Sequence, residues 1–308
     1  MSSGSPRLAR DFPAGARWLL FAFERAHDDA GRPRDDWSTF HVPNGYAAAV
    51  ARAHAERFEW VASIHPYRDD ALDALDAAVG AGARAMKWLP SAMNIDLRDP
   101  RCRPFYDRLA RHALPLVVHC GEEHAVPGAG RDAFGNPLLL RVPLEAGVRV
   151  VAAHCASLGA APDLDRHSAH KVPAFELFAR LMDEPRWRGL LLGDVSALFQ
   201  VNRTPSTWRI VLQRADWHDR LLHGSDHPLP GLMPLHSPAR LAAAGLLDPA
   251  AVPPLRRIRE HNPLLFDFVV KRHLRDGSAR LAASVFDTRR HFARHAATVH
   301  ATTRRESE

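Results

Sequence analysis

Leu114-Pro115-Leu116-Val117-Val118-His119-Cys120-Gly121 is a short apolar run that ends on a histidine followed, one residue later, by a glycine. One unit further on, Val150-Val151-Ala152-Ala153-His154-Cys155 repeats the His-Cys step. Runs this short and this continuously apolar suit strands buried on both faces, as in a parallel sheet. Working outward, the same kind of run recurs at Trp18–Phe23, Trp60–Ile64, Ala83–Lys87, Leu190–Asp194 and Arg220–Asp226. The ends of successive runs lie 23 to 41 residues apart. One strand-plus-helix unit takes about 30 residues.

The segments between the runs carry helical spacing, notably Asp69–Ala81, Arg103–Arg111 and Ala174–Met182. Strand then helix, repeated, predicts an α/β chain with a parallel sheet, a (β/α)8 TIM barrel. Seven units are visible where eight are needed, and one unit back from Trp18 falls before Met1. The first barrel strand is therefore expected to be missing from this chain. The competing arrangement is an open, doubly wound sheet of seven strands. A late strand at Arg280–Phe286 is a second way to fill the gap. The expected organisation is an irregular or disordered segment over 1–16, the barrel over 17–268, and a basic helical extension over 269–308.

Composition narrows the partners. With 46% hydrophobic and 25% charged residues, the chain can bury a sizeable core, and disorder is not the default. The net charge of +6 resembles a nucleic-acid signal until it is located. Val270–Glu308 holds nine Lys or Arg against four Asp or Glu, so five of the six charges belong to the tail. No nucleic-acid partner is expected from that pattern. No apolar run approaches the roughly 20 residues that span a bilayer, and Trp18–Phe23 is too short for a signal-peptide core. Three cysteines without a CxxC pair argue against a disulfide scaffold and a cysteine-built zinc site. The expectation is a cytoplasmic protein that meets a small-molecule substrate and no membrane, with a homo-oligomer left open.

The run ends carry the chemistry. They are marked by Glu24, His65, Lys87, His119, His154, Asp194 and Asp226, all ionisable. In a parallel barrel these ends share one mouth, where active sites form. Cys120 and Cys155 are expected to face the helices as small buried residues, because successive strand side chains alternate. Asp226 can ligate a divalent ion or accept a proton from water, and as a bland alternative it caps a loop. Lys87, expensive to bury alone, has three readings: an ion pair with a carboxylate, a contact to an anionic substrate, or a carbamate ligand. His65, Arg68, Glu122, Glu123 and His227 are the candidate substrate contacts, since loops after strands set specificity. His124 and Arg141 read as ordinary loop residues with the same potential.

The stretches Lys87-Trp88-Leu89-Pro90, Val117-Val118-His119-Cys120-Gly121-Glu122-Glu123, Val151-Ala152-Ala153-His154-Cys155-Ala156-Ser157 and His223-Gly224-Ser225-Asp226-His227-Pro228 resemble the amidohydrolase superfamily, specifically its amidohydrolase-2 branch. The resemblance runs from about Trp18 to Phe268. It implies a metal-dependent hydrolase in which an ion-activated water attacks a carbonyl-type carbon. It implies Zn2+ or another divalent ion held by His119 and Asp226, with His154 as a ligand or a substrate-polarising group, and Lys87 as a further candidate ligand. Asp226 and His154 are the implied catalytic residues. A non-oxidative, metal-dependent decarboxylase belongs to the same branch and is the nearest alternative. The branch also carries a His-x-His on its first strand, and no histidine precedes His27 here. The expectation is a start upstream of Met1; the alternative is a metal-poor, inactive barrel that acts as a binding protein.

Overall fold

The computed structural model describes residues 5–126, 128–166 and 170–293. Seven parallel strands follow one another in chain order: β1 (Trp18–Phe21), β2 (Phe58–Val61), β3 (Met86–Trp88), β4 (Leu116–His119), β5 (Val150–Ala153), β6 (Leu191–Asp194) and β7 (Leu221–Leu222). Strands β3 to β7 form one sheet, β1 pairs with β2, and a parallel bridge from Ala62 to Met86 joins the two. Each strand occurs where an apolar run was read from the sequence. The helices Ala71–Gly80, Cys102–Arg111 and Ala174–Asp183 match the predicted helical segments within three residues.

The packing has two shells. Leu19, Val61, Ala85, Val117, Val151, Ala153, Leu192 and Leu222 pack with one another on one face of the strands, and every strand or its leading residue contributes. Their alternate neighbours, such as Met86, Trp88, Leu116, Val118, Val150 and Leu191, pack outward into the larger core shared with the helices. A single inner cluster fed by all seven strands is the packing that a (β/α) barrel interior requires. Phe292, from the C-terminal segment, also packs against this inner cluster.

Among the described residues no ladder joins β7 to β1. An aromatic seam runs between them instead. Trp18 meets Phe12 at 5.0 Å between ring centroids, Phe12 meets Phe268 at 6.0 Å, and Phe268 meets His223 at 5.5 Å and Phe286 at 5.3 Å. Exposed edge backbone is a pairing hazard, and part of it is covered here: the His223 N–H donates to Val285 O at 2.8 Å. Arg280–Phe286 thus docks against the end of β7, but as a short 3-10 turn over Ala283–Phe286 and not as a strand.

Within the N-terminal segment, the described residues from Ser5 to Asp11 are helical. Helical turns at Ser5–Leu8 and Ala9–Asp11 dock on the last long helix, where Asn262 Nδ2 donates to Leu8 O and Asp11 Oδ2, both at 2.8 Å. That helix, Pro263–His273, runs across the expected domain boundary at 268. Asn262 starts it: its Oδ1 accepts from the N–H groups of Leu264 and Leu265, and proline follows at the first helical position. The expected extension beyond Ala293 lies outside the described residues.

Candidate active site at the strand ends

The mouth of the strands has two sides, and they differ in how their polar groups are satisfied. On the β1–β2 side, Ser63 ties three strand ends together. It accepts at Oγ from the Glu24 N–H at 3.0 Å and donates to Lys87 O at 2.9 Å. Glu24, buried, pairs with Arg68 at 2.6 Å, and Arg68 also holds Asp70 at 2.7 Å. His65 is fully buried. Its Nε2 lies 2.8 Å from Met93 O, its Nδ1 accepts from the Tyr67 N–H at 3.2 Å, and its ring stacks on His27 at 4.3 Å. Burial, with His27 next, pulls the His65 pKa down to about 3, so the ring is neutral. With both nitrogens occupied and no exposed surface, His65 packs the fold; the structure gives it no surface to present to a substrate. Arg68 is likewise engaged by two carboxylates.

On the β3–β7 side the expected residues come together. Lys87 points inward from β3, beside Val117 in register, and Asp194, Asp226 and Glu123 are the carboxylates that act on it. Burial lowers its pKa. His119 ends β4 facing the same space, with its ring 5.3 Å from that of His154. Burial, then His154 and Lys87, hold His119 well below the usual histidine range, hence neutral.

The two histidines reach the mouth by different routes. His119 follows simple alternation, and its partner in register is inward-facing Ala153. By the same alternation His154 belongs outside. Three consecutive left-handed residues, His154, Cys155 and Ala156 (φ 56°, 51° and 49°), turn the chain at that point. Such a run in non-glycine residues is costly and concentrates at functional sites. Cys155 is thereby sent outward, its thiol 3.3 Å from Asp194 O, and Cys120 faces the outer core as expected. Burial pushes the Cys120 thiol up to about 12, so neither cysteine is an activated nucleophile.

Asp194 serves as a bracket. Its carboxylate accepts from the Ser196 N–H at 2.6 Å, the Ser196 hydroxyl at 2.8 Å and the His154 N–H at 3.3 Å. Ser196 Oγ lies 2.7 Å from His154 Nδ1, closer than the Ala197 N–H at 3.3 Å. The shorter contact favours Nδ1–H donating to Ser196, which leaves Nε2 as the basic nitrogen of His154. Gly224 completes the bracket, since a Cβ there would sit 2.9 Å from Asp194 Oδ1.

Asp226 follows β7 in a left-handed conformation (φ 54°). Among the described residues its carboxylate has no hydrogen bond or ion pair. The loop that carries it is fixed from below: Lys271 Nζ donates to Gly224 O and to Asp267 Oδ2, both at 2.7 Å, and both side chains of that pair are buried. His227 beside it is exposed. Glu123 is used locally. Its Oε1 accepts from the Ala125 and Val126 N–H groups and its Oε2 lies 3.3 Å from His119 Nε2. Glu122 contacts His124 at 3.2 Å, and Arg141 is taken up by Asp165 and Glu184.

Sequence reasoning missed Arg203. It lies in the loop after β6, four residues beyond the apolar Ala197-Leu198-Phe199, where no periodic signal marks it. It is buried, its Nε donates to Ser157 Oγ at 2.9 Å, and Asp226 and Glu123 act on it from a distance.

The implied divalent ion can be tested against these donors. Among the described residues no three His, Cys, Asp or Glu side chains are placed to hold a metal. His119 Nε2 faces Glu123 and Glu122 O. Two cationic side chains, Lys87 and Arg203, face the carboxylates that would serve as ligands. A catalytic ion takes three protein ligands plus water. The described residues do not form such a site by themselves.

Consecutive parallel β/α units with ionisable residues at the carboxyl ends of their strands are the arrangement of a (β/α) barrel enzyme scaffold. A profile of the amidohydrolase family matches residues 7–264, and the chain belongs to that family. Among solved structures, an uncharacterized TIM-barrel protein from Bordetella bronchiseptica is 18% identical, with a TM-score of 0.51, over 70% of this chain and 66% of that one. A manganese-bound 5-carboxyvanillate decarboxylase from Novosphingobium aromaticivorans is 12% identical (TM-score 0.41; 60% and 59% covered). A 4-oxalomesaconate hydratase from Rhodopseudomonas palustris is 14% identical (TM-score 0.39; 60% and 55% covered). A search of curated proteins finds no match. The chain spans 55 to 66% of the length of these three structures. Among the described residues no helix is long and apolar enough to cross a membrane.

Proposed function

We propose that this chain carries the catalytic mouth of a hydrolase that attacks a carbonyl-type carbon of a small molecule. The observation that carries the reading is the unengaged carboxylate of Asp226 in the same charged cluster as Lys87, His119 and His154. Asp226 accepts the proton of the attacking water and returns it to the leaving group. His154 is held by the Asp194–Ser196 bracket with Nε2 free, and it orients that water. Lys87, buried on β3, supplies positive charge where the oxyanion develops. His119, neutral and fixed by Glu123, forms the wall opposite His154.

The test is turnover. The 308-residue chain is assayed against small esters, lactones and amides, with Asp226→Asn alongside. Loss of turnover in the variant, with the same melting temperature, is the expected result. Retained turnover removes Asp226 from the mechanism. Release of CO2 from a carboxylate substrate, without hydrolysis, replaces this reading with decarboxylation.

A further inference from the structure

The stretch from His227 to Leu247 holds no aspartate or glutamate. Its first half, Pro228-Leu229-Pro230-Gly231-Leu232-Met233-Pro234-Leu235, forms a loop whose tip presents two adjacent large apolar side chains to solvent. Leu232 is 49% and Met233 66% exposed. The loop is built from consecutive turns. The N–H groups of Leu229, Gly231, Leu232 and Leu235 donate to Asp226 O, Pro228 O, Leu229 O and Leu232 O at 3.0 to 3.1 Å. Two anchors hold it from behind: the Val201 N–H donates to Leu235 O at 2.8 Å, and the Pro263 ring stands 3.5 Å from where a Gly231 Cβ would be. Leu232 and Met233 are thus held outward, although large apolar side chains gain by burial. Exposed apolar groups rimmed by polar residues mark interaction surfaces.

The rim of the tip is basic. Arg240 stands on the short helix Pro238–Ala243 that follows the loop, and Arg256, Arg257 and Arg259 stand on the helix Val252–His261, which packs against both. Arg259 reaches the loop directly, its Nη1 donating to His236 O at 2.8 Å. Arg256 lies one turn earlier on the same helix face and acts on Arg259 electrostatically. Arg240, Arg256 and Arg257 are exposed, and among the described residues none of them has an ion pair. Glu260 is the only carboxylate of the longer helix, and Asp248 is taken up by Arg275 at 3.4 Å. Two apolar side chains fall far short of the ~800 Å² per partner that a stable protein interface buries. A bilayer asks for no matching shape. Apolar tips enter the acyl boundary while arginines stay among the headgroups, and anionic headgroups complement their charge.

We propose that this face docks on an anionic membrane surface: Leu232 and Met233 enter the interface, and Arg240, Arg256, Arg257 and Arg259 hold the headgroups. A chain that lies on a bilayer needs no spanning helix. An exposed pair of apolar residues is too short to register as an apolar run, so the sequence by itself points to no membrane. The loop begins beside Asp226, whose carbonyl accepts from the Leu229 N–H at 3.0 Å, so docking sets the strand-end mouth next to the lipid. The proposal goes beyond the hydrolytic reading and does not depend on it.

The test is co-sedimentation of the 308-residue chain with vesicles of phosphatidylcholine alone and of phosphatidylcholine with about one-third phosphatidylglycerol. The anionic vesicles are expected to bind at least about tenfold more tightly, and the preference should shrink at high salt. Leu232→Ser combined with Met233→Ser should weaken that binding at least about tenfold. Arg256→Gln combined with Arg257→Gln should weaken it severalfold. Both variants should melt as the parent does, because the altered side chains are exposed. Should the loop variant fail to fold, the arginine variant and the salt dependence carry the test. Absence of binding, equal binding to both vesicle types, or anionic binding that the folded variants retain overturns the proposal. A concentration-dependent dimer that the loop variant abolishes, in a chain that ignores vesicles, overturns it in favour of a second copy of this chain.

Discussion

The β1–β2 side of the mouth and the β3–β7 side are both rich in ionisable residues, yet they are built on opposite principles. Around Glu24, His65 and Arg68 each polar group has its partner inside the fold, including both nitrogens of a fully buried imidazole. Around Lys87, Arg203 and Asp226 the charges see one another only at a distance, and the Arg203 guanidinium keeps a buried donor unused. Satisfied polar groups stabilise a structure and have little left to offer a ligand. Unsatisfied ones cost stability and are retained where a ligand completes them. The contrast assigns structure to the first side and chemistry to the second, although both sets stand at strand ends and read alike in the sequence.

Breaking a satisfied group should damage the fold. The largest effect is expected from Lys271→Met, which strands buried Asp267 and frees Gly224 O. A loss of about 3–5 kcal/mol is expected, read by urea unfolding. His65→Ala should cost about 2–4 kcal/mol by opening a cavity and orphaning Met93 O.

Acid offers a graded version of the same test. His65 and His236 are pulled down to about 3 by burial, and His119 and His223 are held well below the usual range. The unfolded chain protonates these groups near pH 6.5 while the folded chain resists. Stability is therefore full above that pH and falls as pH drops from about 6.5 towards 3. Melting temperature followed from pH 7.5 to 4.5 should show the decline, and His65→Gln should flatten it.

The smallest effect is the sharpest in sign. Arg203→Met removes a buried charge that has no ion-pair partner, so melting temperature should hold or rise by up to about 1 kcal/mol of equivalent stability. A clear fall would mean that Arg203 belongs with the satisfied set.

What the sequence disclosed follows from periodicity. Apolar runs at barrel spacing mark all seven strands, and Lys87, His119 and Asp226 stand at or near the ends of three of them. For His154 alternation alone is not enough, since it turns the residue outward and three left-handed residues bring it back. His65 was indistinguishable from its neighbours because its partners, Met93 O and the Tyr67 N–H, are backbone groups that leave no mark in sequence. Arg203 is invisible for the complementary reason: a charged residue in a loop reads as solvated, and only tertiary packing buries it. The cover between β1 and β7 comes from Phe12, Phe268 and Phe286, whose association no local pattern encodes.

The division of the mouth is tested most directly by a paired measurement of Asp226→Asn and Arg68→Gln on turnover and on melting temperature. With a substrate found in the ester, lactone and amide panel, the account predicts that Asp226→Asn lowers kcat by about a thousandfold or more at unchanged melting temperature. It predicts that Arg68→Gln lowers the melting temperature and leaves kcat within a few-fold of the parent. The reverse outcome, with turnover lost in Arg68→Gln and kept in Asp226→Asn, would contradict it.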